Sequence, residues 1–221
     1  MTKPIHKFFD RFVNNDNENF YIYLENLYNE IVTNNFLRLP EETIEKYQKQ
    51  PIGAATQLGN FYNIFQFINP NIVKLYDALS ITLDEACFYY NIDRKKQQYM
   101  IHGWFNLDYP NKESDEKISP IKNESHFHDH SGGFGAPWFH GYYCVNAEPS
   151  TTYYKIGGSD GVIFENHNKN DRLVLSETGH PHGRDDWYEQ KPRITVAYDI
   201  TPLQFLGDSS HINQIPWIPF R

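Results

Sequence analysis

The sequence predicts an α+β protein: a helical N-terminal region, residues 1–96, packed on an all-β region, residues 97–221, of the sandwich or jelly-roll type. Three observations carry this. Apolar residues recur at helical spacing early in the chain, as in Phe20, Tyr23, Leu24, Leu27, Ile31 and Val32. After about residue 97, short β-branched and aromatic segments alternate with Gly, Pro, Asn and Asp. With 221 residues, the length favours one domain that can bury a proper core.

Each element has a local reason. The first helical stripe ends near Leu39-Pro40, and Pro40 opens a polar helix from Glu41 to Gln50, whose first-turn acids suit the helix dipole. A further helix is expected over Ile72 to Leu79. Thr82-Leu83-Asp84-Glu85 has the form of a capping box and predicts a separate helix start toward Tyr90. Gly53 to Asn69 fits neither period. Strands are expected at Gln98 to Leu107, Ile121 to His130, His140 to Val145, Thr152 to Ile156, Gly161 to Glu165, Arg172 to Leu175 and Arg193 to Ile200, with His180 to Gly183 as an eighth. Lys112 to Lys122 reads as a charged loop, and Ser131 to Trp138 as a Gly-rich one.

Composition narrows the function classes. The formal charge of −8, with no block of five like-charged residues, disfavours nucleic acid as a partner. Cys87 and Cys144 are isolated in apolar surroundings and read as two buried thiols of a reducing cytoplasm rather than a disulfide. The start, MTKPIHKFFDRF, has no apolar core of a signal peptide, and no apolar run is long enough to span a bilayer. The expectation is a cytoplasmic protein. Frequent Asn, Lys, Ile, Tyr and Phe is the bias that AT-rich coding gives, as in a phage or an AT-rich bacterium.

Chemistry concentrates in two histidine clusters. His126-Phe127-His128-Asp129-His130 lies on an expected strand, where alternation puts His126, His128 and His130 on one face. Imidazoles at i and i+2 can grip one metal ion. In His180-Pro181-His182, either histidine can complete such a site. Arg193 follows His182 by eleven residues and shares a strand face with Thr195. A guanidinium beside a hydroxyl suits a dicarboxylate, through two parallel charge-assisted bonds and a third from the hydroxyl. Tyr142 and Tyr143 alternate faces, so one packs the core while the other lines the pocket. His140 either faces the cavity or begins a strand. Trp104 reads as core rather than as a substrate platform.

In order and spacing, these pieces resemble the 2-oxoglutarate/Fe(II)-dependent oxygenases of phage and marine bacteria, related in fold to prolyl hydroxylases. Trp104-Phe105-Asn106 is similar to that family's W-x-N strand, His126-Phe127-His128 to its H-x-H element, and Gly141-Tyr142-Tyr143 with Pro149 to its Gly-x-Tyr-Tyr strand. Leu173-Val174-Leu175 with Pro181-His182-Gly183 resembles the strand leading to the distal histidine, and Arg193-Ile194-Thr195 its R-I-S strand. The resemblance covers about residues 98 to 200. It implies a double-stranded β-helix (jelly roll, cupin-like) with Fe(II) held by His126, His128 and His182. His130 or Asp129 are the alternatives for one of the first two, and His180 for the third. It also implies 2-oxoglutarate as cosubstrate, its far carboxylate on Arg193 and Thr195 with Tyr143 beside it. The reaction implied is hydroxylation of an amino-acid side chain or small molecule, with release of succinate and CO2. Three imidazoles would leave the metal charge uncompensated by the protein, unlike the more widespread two-histidine, one-carboxylate site.

Two rival readings stand beside this one. A cupin-like three-histidine dioxygenase would need no cosubstrate and could dispense with Arg193. A non-catalytic binding or structural phage module would hold no open metal site. The N-terminal helices are read as packing against the sheet, with a lid and a homodimer contact as their other uses.

Overall fold

Antiparallel sheets and α-helices make up residues 6–49, 58–110, 127–130, 138–157, 161–206 and 215–221, the part of the chain that a computed structural model describes. The strands are β1 (Phe9–Phe12), β2 (Tyr99–Asp108), β3 (Phe139–Asn146), β4 (Thr151–Ile156), β5 (Val162–His167), β6 (Arg172–Glu177), β7 (His182–Arg184), β8 (Arg193–Pro202) and β9 (Ile218–Phe220). The helices are α1 (Asn17–Thr33), α2 (Glu41–Lys49) and α3 (Pro70–Tyr89). One sheet has the order β1-β6-β3-β8-β2-β9 and the other β5-β4-β7, and all these pairings are antiparallel. From β3 to β8 the chain crosses repeatedly between the sheets: β3 in the large one, β4 and β5 in the small, β6 in the large, β7 in the small, β8 in the large.

The helices cover the large sheet. Asp16 caps α1 by accepting from the Asn19 amide, and the helix buries Phe20, Leu24, Leu27 and Ile31 on one stripe. These side chains join Phe105, Tyr143, Leu173, Val196 and Tyr198 from the sheet in a single core. Full burial of each aliphatic side chain is worth roughly 1.5–3 kcal/mol. Leu24→Ala, at a fully buried site, would cost about 2–5 kcal/mol.

In α3 the structure departs from expectation. Asn69 caps it, Pro70 occupies its first turn, and it runs unbroken to Tyr89. The Thr82 hydroxyl donates back to the Ala78 carbonyl at 2.9 Å, so the apparent capping box starts nothing. No breaker stands between Leu79 and Thr82, and Leu75, Leu79 and Leu83 form a continuous i, i+4 buried stripe that holds the turns together. Two edge strands were not anticipated: β1 pairs with β6 (Phe9 opposite Leu175) and β9 with β2 (Ile218 opposite Ile101). Among the described residues no helix is long and apolar enough to cross a membrane. Cys87 and Cys144 are both buried free thiols.

Strand β8 positions the site. It lies between β2 and β3, and alternation splits its residues cleanly. Ile194, Val196, Tyr198 and Ile200 face the helical core. Arg193, Thr195, Ala197 and Asp199 face a cavity of about 750 Å³ between the sheets.

Candidate metal centre

Histidines reach this cavity from both sheets for simple geometric reasons. His128 and His182 form an antiparallel bridge, exchanging backbone hydrogen bonds of 3.0 and 2.8 Å. Residues directly opposite in such a pair project to the same face, and His130, two residues on from His128, projects with them. The ligating atoms of His128, His130 and His182 lie within 4.8 Å of one another. His128 is the most exposed of the three, and the His182 side chain is buried.

The large sheet supplies a second row. In the ladders flanking β8, Asp199 stands opposite both His140 of β3 and His102 of β2. His140 Nδ1 donates to Asp199 at 2.8 Å, and His130 Nδ1 donates to the same carboxylate at 3.1 Å. His130, His140 and Asp199 therefore form a second group whose ligating atoms converge, sharing His130 with the first. Trp104 stacks on both sides, with ring centroids 5.1 Å from His102 and 5.9 Å from His130. It lines the cavity and also packs against the hydrophobic core.

Burial lowers His182 well below its ordinary value, reinforced by His140, His128 and His130; partial burial and His130 lower His128. Burial also brings His140 down to about 4. Burial opposes a charge on His130 too, but the Asp199 carboxylate outweighs it and holds His130 above its ordinary value. Burial alone would raise Asp199, yet His130 and the bonds from both histidines hold it far below the usual carboxylate range. Neutral imidazoles are the ligand form, and an ionised carboxylate beside them offsets metal charge. This donor set fits a divalent transition metal such as iron(II).

At the other end of the β8 row, Arg193 is fully enclosed. Its Nε donates to Ser150 Oγ at 3.1 Å and its guanidinium meets Asp108 at 3.3 Å. Arg184 reaches the same Asp108 at 2.6 Å. Two cations thus share one anion. Burial, and after it Arg184, pull Arg193 below its ordinary value more than Asp108 restores it. Thr195 stands beside Arg193 on the cavity face, and Asn106 donates to its hydroxyl at 3.3 Å.

Of the residues singled out from sequence, the structure gathers His128, His130, His182, Arg193, Thr195, Asp129 and His140 around one cavity. His126 lies outside the described residues. Tyr143 does not reach the cavity: strand alternation turns it into the helical core, where its hydroxyl donates to Asn17 and to Asp171 (2.9 Å for the latter). Tyr142 is the tyrosine that lines the cavity. His180 is turned away, toward His6. Sequence reasoning missed Asp199 and Asp108. Asp199 was within reach, since the alternation that pairs Arg193 with Thr195 continues through Ala197 to Asp199.

No protein-family description matches the chain, and no curated protein matches it by sequence. Among solved structures it is similar to a Pseudomonas putida prolyl-4-hydroxylase, at 11% identity and TM-score 0.44, over 89% of this chain and 88% of that one. It is similar to a 2OG-Fe(II) oxygenase family oxidoreductase from Burkholderia pseudomallei, at 11% identity and TM-score 0.41, over 60% of this chain and 58% of that one. HygX from Streptomyces hygroscopicus, solved with iron bound, gives 10% identity and TM-score 0.39, over 83% and 89%. These structural neighbours are 2OG-Fe(II) oxygenases and related enzymes. The chain spans under three-fifths of the length of several of its structural neighbours, the Burkholderia protein among them. At such identities a likeness does not assign a function; the side chains of the cavity must do so.

Proposed function

We propose that this protein is an Fe(II)- and 2-oxoglutarate-dependent oxygenase on a double-stranded β-helix, hydroxylating an amino-acid side chain or a small molecule. The observation that carries the reading is the layout of β8: Arg193 and Thr195 occupy one end of its cavity row and Asp199, with the histidines around it, the other. A cation at one end and a metal-ligand group at the other suit a bifunctional acid that must be held at both. The alternating path of the chain between the sheets supports the β-helix.

His128, His130 and His182 would hold the iron. When bound there, it supplies the activation of dioxygen that couples oxidative decarboxylation of 2-oxoglutarate, to succinate and CO2, with hydroxylation of a C–H bond. The protein's own groups do the rest. Arg193 takes the far carboxylate in two parallel bonds, with Thr195 donating a third. Asp108 must yield part of its hold on Arg193 as that carboxylate arrives, and keeps Arg184. Asp199 fixes the tautomers of His130 and His140, so their Nε2 atoms are the ones left for the cavity. Trp104, Tyr142 and Ala197 make the walls between the two ends and limit water there.

The test is turnover of the Fe(II)-loaded protein with 2-oxoglutarate and oxygen alone, following succinate. Slow succinate release that needs iron and Arg193 supports the reading. A cupin-like three-histidine dioxygenase is the second reading, favoured by one observation: Asp108 already pairs with Arg193, which a purely structural arginine would also show. In that case succinate is not formed and metal binding survives Arg193→Ala.

A further inference from the structure

Away from the cavity, a second set of ligand-type side chains converges. His6 precedes β1, Glu177 ends β6 and His180 lies in the turn between β6 and β7; none of them lines the cavity. Pairing of β1 with β6 brings the three together. His180 Nε2 is 2.9 Å from His6 Nδ1, and Glu177 Oε2 is 3.5 Å from that same Nδ1. All three ligating atoms lie within 4.8 Å of one another.

We propose that His6, Glu177 and His180 form a second metal site, for a zinc-type divalent cation, that fastens the N-terminal strand to the segment leading into His182. Two imidazoles and a carboxylate are an established zinc donor set. Bonds of about 2.0–2.1 Å in a tetrahedron set neighbouring ligand atoms roughly 3.3 Å apart, and the two observed separations bracket that value. Hydrogen bonding alone serves the trio poorly. His6 Nδ1 faces His180 Nε2 and the Glu177 carboxylate at once. If it donates, its single N–H is divided between the Glu177 carboxylate and the His180 lone pair. If it accepts from His180, its lone pair is turned on a carboxylate. A cation at the point of convergence satisfies all three lone pairs together. Burial and His180 lower His6 from its ordinary value, so a neutral ligand is at hand. The His6 side chain is 11% exposed and Glu177 42%, which leaves the site reachable from solvent.

The site also bears on the cavity. His182 Nδ1 points at the His180 carbonyl oxygen, 3.4 Å away, so an ion that fixes His180 fixes the backbone group orienting His182.

The experiment is zinc stoichiometry and thermal shift on the metal-stripped full chain, beside His6→Gln, Glu177→Gln, His180→Asn and His182→Ala. The expected result is about two ions per wild-type chain and about one in each of the first three variants. Those variants should also lose the part of the zinc-induced rise in Tm that His182→Ala retains. Because the three substitutions act on different elements, misfolding of one leaves the others informative. Failure of the cavity reading would look different: about one ion in the wild type, lost with His6→Gln and kept with His182→Ala. Wild-type stoichiometry and an undiminished zinc shift in the His6, Glu177 and His180 variants would overturn the proposal and leave the contact as a hydrogen bond.

Discussion

Asp108 and Arg193 stand opposite each other in the β2–β8 ladder, their carboxylate and guanidinium 3.3 Å apart in the lining of the cavity. Both side chains are more than nine-tenths buried. Arg184 shares the same carboxylate, so the cluster carries one positive charge more than it neutralises. Arg184 is 34% exposed and solvated, but Arg193 is enclosed and holds only a share of that carboxylate, so under the proposed function the pair would be both a structural element and a receptor for a carboxylate.

Asp108→Asn removes the carboxylate that pairs with both arginines. Breaking a buried pair typically costs about 3–5 kcal/mol, so a clear fall in Tm is expected. Succinate or 2-oxoglutarate should restore part of it by binding the uncovered arginines. Thermal melts with and without millimolar dicarboxylate check this; a fall in Tm that no dicarboxylate reverses would speak against an anion site.

The ligand assignment predicts a pattern of iron content. His128→Ala, His130→Ala and His182→Ala should each lose stoichiometric Fe(II). His126→Ala tests the first-cluster alternative directly: retained iron assigns the pair to His128 and His130, and lost iron returns His126 to the site. Metal analysis of anaerobically loaded protein decides between them.

Asp199→Asn removes the charge beside His130 and His140 and sets an amide NH2 against one of their two Nδ1–H donors. As a partner of the ligands rather than a ligand, it should weaken iron binding by roughly 10–100-fold. Loss of binding altogether would promote Asp199 to direct coordination, since its carboxylate converges with His130 and His140.

Much of this was legible in the sequence, and the misses have physical causes. Period-two patterns located the strands β2 to β8 to within one or two residues, because burial of one face imposes them, whereas α1 ends at Thr33, well short of the Leu39-Pro40 end expected for its stripe. Thr82 to Glu85 misled because local capping chemistry is outweighed when a buried stripe runs through it. His182 and Arg193 were readable from order along the chain. Asp199 was missed although it continues the Arg193–Thr195 face, while Asp108 gains its role only when β2 and β8 are placed side by side. Tyr143 was assigned to the wrong face: alternation shows that it differs from Tyr142, not which of the two faces the cavity.

Gly141 is a position whose reason only packing reveals. A Cβ there would collide with the Val174 carbonyl oxygen and come 2.6 Å from the Tyr198 ring. That ring is pinned, its hydroxyl donating to the carbonyls of Val174 and Tyr142 at 2.8 and 3.1 Å. Gly141→Ala should cost about 1–3 kcal/mol or more, read as a lower urea midpoint at unchanged m-value.

His102 gives a pH dependence. Burial lowers it below its ordinary value, against opposing bonds to the Gly59 and Tyr62 carbonyls. The unfolded chain therefore takes up its proton first as pH falls. Its contribution to stability is full above the unfolded value near 6.5 and is lost on acidification toward the folded value, at no more than about 1.4 kcal/mol per pH unit. Urea unfolding from pH 7.5 to 5.5 should show a smaller decline for His102→Gln than for the wild type. Equal declines would contradict the assignment.

The most direct test of the central claim is anaerobic titration of the Fe(II)-loaded protein with 2-oxoglutarate, watching for a weak charge-transfer band in the visible. The reading predicts a saturable band that weakens with Arg193→Ala and vanishes with His182→Ala. Bound iron that gives no band with 2-oxoglutarate would contradict it.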